Sequence, residues 1–229
     1  MADVPLETET IGGRQCYLYI ADGTTTLLIQ PVDSHDRSRL DTEVAALRGL
    51  TTTPFSLVAI GIDRWRDELT PWSAPSIFKE KPFGDGARAT LDYITDTLLP
   101  CCNERWGKKK TILGGYSLAG LFALWAGYNT DCFDAIAAAS PSVWYPGWME
   151  YADTAAMLCP AVYLSQGYKD SHTKNKSIAG VANAIRHQHQ LLGTQGIETL
   201  LEWNPGNHFA EPDHRTARAF AWCIGRILS

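Results

Sequence analysis

Short apolar runs of strand character alternate along the chain with longer stretches in which apolar residues recur every three or four positions. Residues 25–30 read as a strand and residues 39–48 as a short helix. Residues 55–61 are almost wholly apolar, the composition expected of a strand covered by helices on both faces. Residues 86–99 predict a helix, with Leu91, Ile94, Leu98 and Leu99 on one stripe. The rhythm continues with strands over 111–114, 135–139, 161–165 and 198–203. Helices over 118–128, 175–192 and 212–227 lie between and after them. Strands separated by crossover helices imply parallel neighbours, because a hairpin cannot join parallel strands. An early strand over 15–20 is placed antiparallel at one edge. The expected architecture is an α/β three-layer sandwich around a mostly parallel sheet.

Composition narrows the function more than the fold. With 45% hydrophobic and 20% charged residues in 229, the chain has material for a full core and reads as one domain over 1–229. The net charge of −5 and the lack of a basic run argue against a duplex nucleic-acid binder. Lys108-Lys109-Lys110, the single basic cluster, reads as a solvated turn. No stretch approaches the roughly 18 apolar residues of a membrane span. The acidic, polar first ten residues do not read as a secretory signal. Six scattered cysteines, mostly in apolar runs, suggest reduced core thiols and a cytoplasmic protein. A vicinal pair at Cys101 and Cys102 is the weaker reading.

Chemistry concentrates where an apolar strand becomes an apolar helix. Gly114-Gly115-Tyr116-Ser117-Leu118-Ala119-Gly120 is a G-x-S-x-G nucleophile elbow with Ala119 at the last motif position. The serine of such an elbow occupies a strained backbone conformation, so its neighbours at −2 and +2 must be small. The turn also aims the first helical N–H groups at the same space, and the Leu118 N–H can hold an oxyanion there. The plainer reading is a tight βα turn with a capping serine. A phosphate loop fits less well, since neither G-x-G-x-x-G nor G-K-[ST] spacing is present.

A hydroxyl becomes a useful nucleophile only when a base takes its proton. His208, in Trp203-Asn-Pro-Gly-Asn-His-Phe209 beyond the last strand, is the expected base. His35 and His172 are runners-up in loops. His187, His189 and His214 read as surface residues. Asp170, in Gly167-Tyr-Lys-Asp170 after the strand ending at Ser165, is the candidate orienting acid. A surface ion pair with the adjacent Lys169 is the plainer alternative for Asp170, and Asp134 and Asp153 are weaker candidates for the acid.

Five segments in order carry a wider resemblance. They are Gly61-Ile-Asp63 with Arg66-Asp-Glu-Leu-Thr-Pro71, Gly115-Tyr-Ser-Leu-Ala-Gly120, Ser140-Pro-Ser-Val-Trp144, Leu164-Ser-Gln-Gly-Tyr-Lys-Asp170, and the histidine loop. Over most of its length the chain resembles the esterase family of α/β-hydrolases that takes in esterase D-like enzymes and siderophore trilactone esterases. The resemblance implies an α/β-hydrolase fold and a serine hydrolase that forms an acyl-enzyme on Ser117. Two positions depart from the family pattern. Asn207 stands where glycine often precedes the histidine, and asparagine tolerates left-handed backbone angles. Asp170 stands where glutamate is common.

The second oxyanion donor is expected from the loop after residues 25–30. Pro31 has no N–H, so Val32 or Asp33 must donate, and Val32 is favoured. The chain is too short for a large lid, which leaves substrate contacts to residues 63–76 and 140–148. Trp65, Trp72, Trp144, Tyr145 and Trp148 lie there, about half of them expected to cover the core. Arg64 and Arg66 could meet an anionic or catecholate substrate, or pair with Asp63, Asp67 or Glu68. No metal spacing or cofactor motif is present. The expected partner is a small-molecule ester. A siderophore-ester or thioester hydrolase is one alternative, and an inactive binding module on the same fold is another.

Overall fold

The computed structural model describes residues 6–77 and 81–228. In chain order it begins with β1 (Glu7–Ile11), β2 (Arg14–Tyr19), β3 (Thr26–Val32), α1 (Ser34–Arg37), α2 (Leu40–Leu50) and β4 (Ser56–Gly61). Next come α3 (Trp65–Glu68), α4 (Ala87–Tyr93), a π-helical turn (Ile94–Leu98), α5 (Leu99–Trp106), β5 (Lys110–Tyr116) and α6 (Leu118–Asn129). The chain continues through β6 (Ala135–Ala139), α7 (Trp148–Ala152), β7 (Ala161–Gly167), α8 (Lys176–Ala179), α9 (Val181–Thr194), β8 (Glu198–Asn204) and α10 (Pro212–Ile227).

These strands form one eight-stranded sheet in the order β1-β2-β4-β3-β5-β6-β7-β8. Only β1 with β2 and β2 with β4 are antiparallel; every other pair is parallel. The edge position expected for the early strand is refined by β1, which pairs outside it. β1 reads Glu-Thr-Glu-Thr-Ile and carries too little apolar signal to announce a strand.

Period-two alternation divides the strand side chains between two cores. Leu27, Ile29, Val58, Ile60 and Leu113 face one side with α4 to α7 and α9, whereas Leu28, Leu57, Ala59 and Ile112 face α2 and α10. Helix α6 is buried from Leu118 to Tyr128, which explains its uniformly apolar sequence.

Two helix boundaries differ from expectation. The helix expected over 86–99 runs on to Trp106 through the π turn, which lies just ahead of Pro100. Proline clashes with the carbonyl four residues back, and a wider turn relieves that clash. The helix expected over 175–192 is divided at Gly180 into α8 and α9. Among the described residues no helix is long and apolar enough to cross a membrane. The six cysteines are free thiols; Cys16, Cys102, Cys159 and Cys223 are buried, Cys101 is half-buried and Cys132 is exposed.

Candidate active site

Ser117 sits between β5 and α6 with φ 59° and ψ −116°, a strained position for a side chain with a Cβ. Gly115 makes this turn possible: a Cβ there would come within 2.5 Å of the Ala119 Cβ. Ala119 can therefore replace the last glycine of the motif because Gly115 has yielded the space. The elbow is tied to β6 and to the loop after it by bonds from the Ser117 N–H to the Ala139 carbonyl (3.1 Å) and from the Ser142 N–H to the Ser117 carbonyl (3.0 Å).

The serine and histidine expected from the sequence meet. His208 Nε2 lies 2.9 Å from Ser117 Oγ. Nε2 can accept that proton only if the ring carries its own on Nδ1, and Nδ1 faces Asp170 Oδ2 at 3.7 Å. Asp170 is buried, its side chain only 2% exposed, so the surface ion pair with Lys169 is not what forms. Its Oδ2 accepts from the Gly167 N–H at 3.0 Å and from the Gln166 side-chain amide. Gly167 must be glycine here, because a Cβ would fall 2.3 Å from Asp170 Oδ1.

The histidine loop is held from below by a residue that the sequence reading missed. Arg215, at the start of α10, is fully buried. Its guanidinium donates to the carbonyls of Pro205 (2.8 Å) and Asn207 (3.0 Å), and to the hydroxyls of Tyr116 (3.2 Å) and Ser140 (3.3 Å). The Tyr116 hydroxyl in turn donates to the His208 carbonyl at 2.7 Å. Burial also pushes the Tyr116 hydroxyl above its ordinary pKa. An arginine three residues into a helix carries no pattern that separates it from a surface charge. The left-handed backbone of the loop falls on Gly206 at φ 86°, not on Asn207. The Asn207 side chain instead accepts from the Phe209 N–H at 3.1 Å.

Several expectations are corrected. Val32 ends β3 fully buried opposite Gly61, and its carbonyl accepts the Ile62 N–H at 2.9 Å. On a strand, a residue's N–H points the same way as its C=O, here toward β4 and away from β5 and Ser117. Asp33, one residue on, lines the cleft instead. Its carboxylate caps α1 by accepting from the N–H groups of His35 and Asp36, both at 2.8 Å. Arg64 does not line the cleft. Its side chain is 72% exposed and pairs with Asp67 at 2.7 Å and Glu68 at 3.7 Å.

The cleft above Ser117 has a volume of about 830 Å³. Arg66, Trp65, Phe83, Trp144, Ile178 and Val181 are among its lining residues. Arg66 lies 4.2 Å over the Phe83 ring and donates to Ser76 Oγ at 2.8 Å. Of the five aromatics expected near the substrate, Trp65 and Trp144 line the cleft. Trp72, Tyr145 and Trp148 do not; Trp148 is fully buried and donates to Gln188, and Trp72 donates to the Pro146 carbonyl. His35 and His172 line the cleft without touching Ser117 Oγ, whereas His187 pairs with Asp153 at the surface. Asp134 binds Lys110 and Thr111 at the start of β5, the opposite end of that strand from Ser117. Among the described residues no cluster of three or more His, Cys, Asp or Glu side chains could hold a metal ion.

An open parallel sheet, a strained serine at a strand-to-helix turn and an imidazole on its hydroxyl define the class: a serine-nucleophile site on an α/β-hydrolase fold. The family described as "Putative esterase" matches residues 38–210, and the chain belongs to that family. No curated protein matches the sequence. Among solved structures, an IroE-like serine hydrolase from Shewanella oneidensis is similar with a TM-score of 0.80 at 14% identity, over 95% of this chain and 79% of that one. The siderophore hydrolase EstA from Aspergillus nidulans gives a TM-score of 0.73 at 18% identity, over 98% of this chain and 95% of its own. The enterobactin esterase FES from Shigella flexneri gives 0.70 at 16% identity, over 99% of this chain and 60% of that one. At these identities the likenesses speak for the fold.

Proposed function

We propose that the protein hydrolyses carboxylic esters through an acyl-enzyme on Ser117, with His208 as general base and Asp170 as orienting acid. His208 Nε2 takes the Ser117 proton as Oγ attacks the ester carbonyl, then returns it to the departing alcohol. Water, deprotonated by the same nitrogen, releases the acid and restores Ser117. The oxyanion is held by the N–H of Leu118 at the start of α6 and the N–H of Asp33. Asp33 follows β3 with an extended backbone and lines the cleft, which supports it over the buried Val32. The carrying observation is the 2.9 Å contact between His208 Nε2 and the strained Ser117. Free thiols throughout support a reducing, cytoplasmic setting.

Ser117→Ala is expected to abolish p-nitrophenyl acetate turnover and labelling by a fluorophosphonate while leaving the melting temperature unchanged. Turnover that survives the substitution removes Ser117 from the mechanism. The cleft supports a narrower reading as well. Arg66 and the aromatic rings of Trp65, Phe83 and Trp144 suit an ester bearing an aromatic, anionic group, such as a catecholate siderophore. An ester panel that includes a trilactone siderophore tests this reading, and preference for short alkyl esters over every aromatic anionic ester would exclude it.

A further inference from the structure

Ser117 Oγ has a second close neighbour that the Ser117–His208 pair does not require. Ser142 Oγ lies 3.2 Å away, in the loop after β6. Ser142 is fully buried, and its place is fixed by its backbone. Its N–H donates to the Ser117 carbonyl at 3.0 Å, and its C=O accepts the Tyr145 N–H at 2.9 Å. The loop leaves β6 through Ser140, whose φ is 43°, and whose N–H is held by Ser165 Oγ at 3.1 Å. A strained, fully bonded turn thus carries a hydroxyl to the nucleophile.

Proton counting decides the direction of the contact. A serine hydroxyl has one proton to give and two lone pairs to receive. Ser117 gives its proton to His208 Nε2 in the reactive arrangement, so its contact with Ser142 can be a hydrogen bond only if Ser142 is the donor. Among the described residues the Ser142 hydroxyl has no other partner at hydrogen-bond distance.

We infer that Ser142 is a further catalytic residue, donating its O–H to Ser117 Oγ and stabilising the negative charge that develops there. This rests on the reading of Ser117 as the nucleophile. As His208 removes the Ser117 proton, charge builds on Oγ and the Ser142 hydrogen bond strengthens. When the acyl-enzyme collapses, Oγ is the leaving atom and the same donor stabilises it until His208 returns a proton. No bond to Ser142 is made or broken, and its proton stays on its own oxygen throughout. The group acts on the attacking and leaving oxygen, which distinguishes it from the backbone donors that serve the carbonyl oxygen.

The test compares wild type, Ser117→Ala and Ser142→Ala for kcat and KM on p-nitrophenyl acetate, for fluorophosphonate labelling rate, and for melting temperature. Ser142→Ala should lower kcat and the labelling rate about tenfold, the worth of one hydrogen bond to a charging oxygen. KM and the pH midpoint of the histidine limb should stay where they are. Wild-type kcat and labelling in Ser142→Ala would overturn the proposal. So would a loss that comes with a raised KM and a displaced midpoint, the signature of a disturbed loop. If Ser142→Ala does not fold, Ser142→Cys keeps the shape and weakens the donor. A lower kcat at unchanged KM then supports the proposal, and wild-type kcat overturns it. Persistent turnover in Ser117→Ala would fail the nucleophile itself, a result that Ser142→Ala cannot imitate.

Discussion

The His208 imidazole stands between unequal partners, 2.9 Å from Ser117 Oγ on one side and 3.7 Å from Asp170 Oδ2 on the other. On the proposed mechanism the longer gap leaves Asp170 to act through its charge, with its Oδ2 already bonded to Gly167 and Gln166. Asp170→Asn should therefore cost less than the roughly 10⁴-fold drop that follows when the acid bonds the imidazole directly. Steady-state kcat checks this, and a loss as deep as that of Ser117→Ala would show the acid bonded to the ring during turnover. Ser117 and His208 were legible because each lies in a short segment whose local form demands it, a strained turn and a Pro/Gly loop at a strand end. Arg64 was not legible, because Arg64-Trp-Arg66 gives two arginines and no sign of which one turns inward. Of the two, Arg66 stacks on the Phe83 ring and lines the cleft.

Helix α10 does more than close the fold, since its buried Arg215 secures both the histidine loop and the end of β5 through Tyr116. Arg215→Met should destabilise the protein by about 2–4 kcal/mol, because the loop carbonyls lose their donors in a buried setting. It should also lower kcat through a displaced His208. Thermal melts and kinetics on the same preparation check both, and an unaltered kcat would show that the loop holds its shape without the guanidinium. At this scale the sequence pattern named the parallel strands β3 to β7 correctly because their side chains are buried on both faces. It missed β1 and extended no helix through Pro100, since pairing and packing against the sheet supply there what local propensity withholds.

Across the molecule, a second acidic group lies behind the cleft wall and is absent from the chemistry. Glu43 of α2 is buried, accepts a hydrogen bond from Gln30 at 3.2 Å, and is pushed up to about 8 by burial and by the charges of Asp36 and Asp213. Asp36, on the cleft itself, is raised to about 6 by burial and by Asp33. The folded protein thus holds the Glu43 proton more tightly than the unfolded chain, whose value is near 4.5. Its contribution to stability is full below that value and is lost as pH rises through about 8. Glu43→Gln should remove this loss and stabilise the protein at pH 8 by roughly 1–3 kcal/mol, with little change at pH 4. Urea melts at the two pH values check it, and equal stability of both proteins at pH 8 would contradict it. The sequence alone determined the alternation of strands and helices, the serine elbow and the histidine loop, because each is set by residues adjacent in the chain. Tertiary structure alone decided that Asp33 and not Val32 lines the cleft, that Arg215 is buried, and that Ser142 reaches Ser117 Oγ. Those placements depend on which strands become neighbours, and short-range pattern carries no record of that choice.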